Sequence, residues 1–136
     1  MVLVDTSVWV HALRRGGSAA VQARLRPLII GGEAAVTQWI ILELMTGLRK
    51  SDSKQGLLRW FEPVQRLAGP GDSNWDQVWE HASILRRRGV SVTAADCLIA
   101  SIAVQHDVAL VHCDGDFEAM KGVLPLKTVD WTPHIG

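Results

Sequence analysis

The stretch VLVDTSVWV, residues 2–10, decides how this chain is read. Val2-Leu3-Val4 is a short aliphatic run that meets Asp5 and then two hydroxyls, Thr6 and Ser7. An apolar run of this kind, bounded by polar residues, is the pattern of a buried strand. A strand is expected over Val2–Asp5, with Thr6 or Ser7 capping a helix that runs to Arg14-Arg15. The strand then ends on a carboxylate, and a charge at the edge of a core is costly unless something pairs with it.

Outward from that stretch, strand and helix patterns alternate. Gly16-Gly17-Ser18 breaks the first helix, and Ala19 to Ile30 reads as a second, with Pro27 challenging its continuity. Gly31-Gly32 turns into a short strand, Ala34-Ala35-Val36, and Thr37 caps the helix TQWIILELMTGLRK. A further helix is expected over Ser51 to Phe61, and a third strand over Val64 to Leu67. GPGDSN (Gly69–Asn74) is a loop, followed by the helix WDQVWEHASILRRRG. There Trp75, Val78, Trp79, Ala82 and Leu85 fall at helical spacing and read as a packing face. A strongly apolar helix over Thr93 to about Gln105 leads to a strand at Val108–Val111. A last strand lies within Val123 to Val129, and WTPHIG reads as a tail. Alternation of this kind argues for an α/β fold with a mostly parallel sheet.

The 136 residues suit one domain, residues 1–136, able to bury a substantial core. With 48% hydrophobic and 21% charged residues the composition is that of an ordinary globular protein. No window approaches the apolar length of a membrane span, and no signal peptide is recognisable at Met1. Two cysteines, Cys97 and Cys113, are too few for a disulfide framework and lack zinc-site spacing, which suits reduced thiols in a cytoplasmic protein. The formal net charge is zero, so any role with nucleic acid must rest on local patches.

Four acids interrupt apolar patterns. Asp5 ends the first strand, Glu43 sits in IILELM, Asp96 in TAADCLIA, and Asp114 follows the strand and His112-Cys113. Asp116 comes two residues later in CDGDF. Singly, most have structural explanations: Asp5 as a cap, Asp96 in a T-x-x-D capping box with Thr93, Asp114-Gly115 as a turn. Glu43 has none. Together they point to one place, because ligands of open α/β sheets bind beyond the carboxyl ends of the strands where strand order reverses. Carboxylates gathered there cannot all ionise without a counter-charge, and no Lys or Arg is evident beside them. A hard divalent cation, Mg²⁺ or Mn²⁺, is the economical answer, whereas zinc fits poorly: no thiol and only His112 is at hand. A carboxylate-held Mg²⁺ lowers the pKa of its water and stabilises in-line attack at phosphorus.

VDTSVW at 4–9, ELMTGLR at 43–49, AADCLIAS at 94–101 and HCDGDF at 112–117 resemble the PIN-domain ribonucleases, and most of all the VapC-type toxins of toxin–antitoxin pairs. The likeness spans nearly the whole chain, in order. It implies a three-layer α/β/α sandwich with a five-stranded sheet. It implies an endoribonuclease dependent on Mg²⁺ or Mn²⁺, acting on RNA, often a structured one such as tRNA, and leaving 5′-phosphate and 3′-hydroxyl ends. Asp5, Glu43, Asp96 and Asp114 carry over as the catalytic and metal-holding acids, with Asp116 and Ser7 accessory. A VapB-type antitoxin is implied as partner, its C-terminal segment covering the acidic groove, together with a homodimer or a larger heteromeric assembly in the cytoplasm. Positions 112–113 read His-Cys where many members carry Thr or Ser.

Arg14, Arg15, Arg49 and Lys50 end helices near the acids and are the candidates for RNA phosphates or an acidic antitoxin. Arg86-Arg87-Arg88 reads as a solvated helix end. Trp9 and Trp39 read as core or dimer packing. Two competing readings remain: a PIN nuclease of RNA processing without an antitoxin, and a Mg²⁺-binding receiver-like signalling module. The second needs a phosphoacceptor Asp ending a central strand and a lysine near the last strand, for which Lys127 is the candidate, and leaves Glu43 unexplained.

Overall fold

The computed structural model describes residues 1–136. Five strands form one sheet: β1 (Val2–Val4), β2 (Ala34–Thr37), β3 (Gln65–Leu67), β4 (Ala109–His112) and β5 (Thr128–Asp130). Their order is β3-β2-β1-β4-β5, and every neighbouring pair is parallel. Seven helices accompany them: α1 (Thr6–Leu13), α2 (Ala19–Ile30), α3 (Gln38–Thr46), α4 (Lys54–Trp60), α5 (Trp75–Arg87), α6 (Ala94–His106) and α7 (Gly115–Lys121). The chain steps from β1 to β2 to β3 in one direction, then crosses back to β4 and on to β5. Right-handed crossovers therefore put α1–α4 on one face and α5–α7 on the other, giving three layers. No helix is long and apolar enough to cross a membrane.

The strand order reverses between β1 and β4, whose central residues Leu3, Val4, Leu110 and Val111 are almost completely buried. Trp9 locks α1 onto this centre. It is fully buried, its Nε1 donates to the Val4 carbonyl at 2.9 Å, and it meets Phe61 and Trp60 edge-on at 4.9 and 5.6 Å.

Several sequence expectations are corrected. The N-cap of α1 is Asp5 itself, not Thr6 or Ser7: β1 stops at Val4, and the Asp5 carboxylate accepts the Ser7 N–H. α2 runs unbroken through Pro27. α3 ends at Thr46, short of Lys50, because Gly47 takes the C-cap. α7 is an addition: Asp114 reads as a turn residue in the sequence, but its Oδ1 accepts the Asp116 N–H at 3.0 Å and starts a helix that buries Phe117 and Met120. On α5 the buried stripe is Val78, His81 and Leu85, while Trp79 is 64% exposed. The stripe turns that way because His81 finds a buried partner, its Nδ1 lying 2.8 Å from Ser101 Oγ. Trp39 is likewise exposed rather than core. The expected tail is docked: Trp131 is buried, and Ser18 Oγ exchanges hydrogen bonds with Gly136 at 3.2 and 3.3 Å.

Candidate metal centre

Asp5 directly follows β1 and Asp114 lies two residues beyond β4, at the carboxyl ends of the adjacent strands at the reversal. The Asp5 N–H donates to the Val111 carbonyl at 2.9 Å, so the pairing of the two strands carries on into the site. Asp96 is in the first turn of α6, whose N-cap Thr93 accepts the Asp96 N–H through Oγ1 at 3.1 Å. Glu43 projects from α3.

Ser7 and Thr6, in the first turn of α1, hold two of the acids. Ser7 Oγ donates to Asp5 Oδ2 at 2.6 Å, beside the Ser7 N–H at 2.9 Å, and accepts the Cys113 N–H at 3.0 Å. It thereby ties the end of β1 to the end of β4. Thr6 Oγ1 donates to Glu43 Oε1 at 2.8 Å. Sequence reasoning misses Thr6, which reads only as a cap. The available signal is a second hydroxyl next to Ser7, turned by about 100° round the same helix start.

Oxygen atoms of Asp96, Asp114 and Asp116 lie within 4.8 Å of one another. Asp5 and Glu43 are not part of that tightest group, yet their charges, with that of Asp114, act on Asp96. None of the five acids takes part in an ion pair; the chain's ion pairs involve Arg87, His112, Lys121 and Lys127. Burial raises the Asp5 carboxyl above its ordinary range despite the Ser7 bonds, and raises Glu43 likewise. Asp96 is pushed up to about 6, first by burial and then by Asp5, Asp114 and Glu43. The Cys113 thiol is pushed up to about 11, chiefly by burial, which keeps it a thiol rather than a thiolate ligand.

Asp5 Oδ1 is buried and has no hydrogen-bond partner. A buried carboxylate oxygen without a donor is costly, and a cation is what such an atom lacks. The donor set is all oxygen, which suits Mg²⁺ or Mn²⁺ and not zinc. His112 is no candidate ligand: both ring nitrogens are engaged, with Glu118 and with the Asp114 N–H.

The raised carboxyl groups make the metal-free fold sensitive to pH in a definite direction. The folded state holds protons more tightly than the unfolded chain, so this stability is fully present near pH 4 and is lost as pH rises through about 6. His81, lowered by burial, acts in the opposite sense over part of that interval. The comparison is therefore with Asp96→Asn, which keeps His81. Thermal melts in chelator between about pH 4 and 7 are expected to show the native chain losing stability relative to the variant. Mn²⁺ is expected to remove the difference by stabilising the native chain alone; parallel curves would refute the coupling.

A groove of about 570 Å³ runs from Thr6 and Glu43 past Arg14, Arg15 and Arg49. The structure brings those three arginines to the site's approach, while Lys50 is exposed and outside the groove lining. Lys127 lies next to β5 and bonds Asp107 at 2.7 Å at the amino ends of β4 and β5, the opposite end of the sheet from the acids.

The family model described as PIN domain matches residues 2–123. Ribonuclease VapC11 of Mycobacterium tuberculosis is 29% identical over 133 residues, covering 96% of this chain and 99% of that protein. Ribonuclease VapC21 of the same organism is 28% identical over 122 residues, 88% of each chain. Among solved structures, VapBC2 from Rickettsia felis, bound to a DNA fragment from its promoter, superposes with a TM-score of 0.77 at 20% identity, covering 96% of this chain and 99% of that one.

Proposed function

The chain belongs to the PIN-domain family, and from that premise we propose that it is a divalent-metal-dependent endoribonuclease, the toxin of a type II toxin–antitoxin pair. The observation that carries this reading is the unpaired acidic group at the strand reversal, Asp96, Asp114 and Asp116, with Asp5 Oδ1 buried and without a partner at the end of the adjoining strand. Relatives named ribonuclease, matched over 96% and 88% of the chain, support the activity.

In this reading Asp5, Asp96 and Asp114 hold one or two Mg²⁺ or Mn²⁺ ions, Glu43 completes the set or orients water, and Asp116 is accessory. When bound, such an ion supplies a more acidic water and neutralises charge developing at the phosphate. Ser7 occupies Asp5 Oδ2 and so leaves Oδ1 to the cation. Thr6 steadies Glu43. The arginines of the groove bind flanking phosphates. The RNA is a structured one such as tRNA, cut to leave 5′-phosphate and 3′-hydroxyl ends. The protein works in the cytoplasm as a homodimer, restrained by a VapB-type antitoxin whose C-terminal segment covers the groove. The solved VapBC complexes among the structural neighbours favour such a partner over a nuclease working alone.

The test is digestion of a pooled tRNA and rRNA substrate with Mn²⁺ or Mg²⁺. Discrete fragments with 5′-phosphates that disappear in EDTA are expected. Absence of cleavage, or cleavage indifferent to EDTA, would overturn the reading. In the same assay Arg14→Ala combined with Arg49→Ala is expected to raise KM with little change in kcat. It should also flatten the plot of log affinity against log salt by roughly 0.7–0.9 for each phosphate that the variant no longer neutralises.

A further inference from the structure

His112 is the last residue of β4 and is fully buried. Its ring lies 5.4 Å from that of Phe117, and its carbonyl accepts the Trp131 N–H at 2.8 Å. On one side its Nε2 is 2.8 Å from Glu118 Oε1, an oxygen that also accepts from Thr128 Oγ1 at 2.6 Å. On the other side its Nδ1 is 3.1 Å from the backbone N of Asp114. A backbone N–H only donates, so Nδ1 is unprotonated; a carboxylate oxygen only accepts, so Nε2 carries the proton. Both ends of the ring assign the same neutral tautomer.

The Nδ1 bond spans two residues, as the side-chain oxygen of an Asx-turn does, and it sets the peptide on which Asp114 stands. That peptide is part of the site. Asp114 is the extended N-cap of α7, its Oδ1 holds the Asp116 N–H, and both acids lie in the cluster with Asp96. Partners beyond the ligands orient acidic metal sites in this way, and their loss typically weakens metal binding about 10- to 100-fold.

We propose that His112, clamped between Glu118 and the Asp114 N–H, is a positioning residue that sets where the Asp114 carboxylate stands in the metal centre. The role rests on the metal-site reading above. It makes His112 a receptor for the backbone rather than a ligand, and it gives Glu118 and Thr128 a function in holding the ring.

Two substitutions separate the halves of the clamp. In His112→Asn the side-chain oxygen overlays Nδ1 and still accepts the Asp114 N–H, but the donor to Glu118 is lost. In His112→Gln the amide nitrogen overlays Nε2 and still reaches Glu118, but nothing accepts the Asp114 N–H. Mn²⁺ affinity measured by calorimetry is expected to stay within about threefold of native for His112→Asn and to fall about tenfold or more for His112→Gln. Native affinity in His112→Gln, or equal loss in both, overturns the proposal. Long-range ¹H–¹⁵N spectra of the native protein need no variant and decide the matter if either fails to fold. A protonated Nε2 with an accepting Nδ1 supports the clamp, and a protonated Nδ1 overturns it with the metal site intact. Native protein that binds no Mn²⁺ defeats the metal-site reading itself, and the positioning role with it.

Discussion

Asp96→Asn is expected to lower RNA cleavage on the order of 10³-fold or more while the protein stays folded. The amide keeps the size and the Thr93 cap, because that bond uses the backbone N–H of residue 96 and not its carboxylate. What is removed is one charge of the cluster. Loss of the several kcal/mol that a well-held divalent ion gives to a phosphoryl transition state corresponds to about three decades in rate. The same change is expected to stabilise the metal-free protein at pH 7.5. In the native chain burial and the charges of Asp5, Asp114 and Glu43 push the Asp96 carboxyl up to about 6, so its ionised form is held against resistance. Discounted for the solvent that still reaches Asp96, the gain is roughly 1 kcal/mol, or about 3–6 °C in Tm. A variant that loses activity and gains stability together is the signature of a residue kept for chemistry. Loss of both would mark Asp96 as structural, and unchanged cleavage would remove it from the site.

Trp9→Ala is expected to destabilise the fold by about 3–5 kcal/mol, a large share of the margin on which a domain of this size stands. The side chain is fully buried, is bonded to the Val4 carbonyl at 2.9 Å and is flanked edge-on by Phe61 and Trp60. Its removal opens a cavity beneath α1 and strands a buried carbonyl at the end of β1. Because Asp5 and Ser7 stand between that carbonyl and Trp9 along the chain, the acidic site is expected to loosen with the fold. Denaturant melts should show a lower midpoint, and Mn²⁺ should recover part of the loss by binding only the folded state. Trp9→Phe keeps the aromatic packing and lacks the donor, so its cost is expected to fall in the range of about 1–3 kcal/mol for an unsatisfied buried carbonyl. An alanine variant as stable as the native chain would refute this account of how α1 is anchored.

The layered fold is legible because its signals are local. Val2-Leu3-Val4, Ala34-Ala35-Val36 and the run ending at Val111 are short apolar segments bounded by polar or turn residues, and Thr37 and Thr93 are hydroxyl caps visible in one dimension. α7 escapes because Asp114 serves as turn residue and N-cap alike, and only the burial of Phe117 and Met120 selects the helix. The face of α5 misleads because two tryptophans outweigh a histidine in the hydrophobic pattern. Burial of His81 depends on Ser101, twenty residues away and invisible to periodicity.

By itself the sequence determined that the chain alternates strands and helices and that four acids interrupt its apolar segments. Caps, turns and hydrophobic period act over a few residues and leave their mark there. Tertiary structure alone decided how the acids are held. Thr6 reaches Glu43 across 37 residues, Ser7 reaches Cys113 across 106, and the His112 ring takes its tautomer from Glu118 and the Asp114 backbone. Those bonds exist because the strand reversal brings the ends of β1 and β4 side by side. A hydrogen bond senses distance and direction in space, and neither is written in the spacing of residues along the chain.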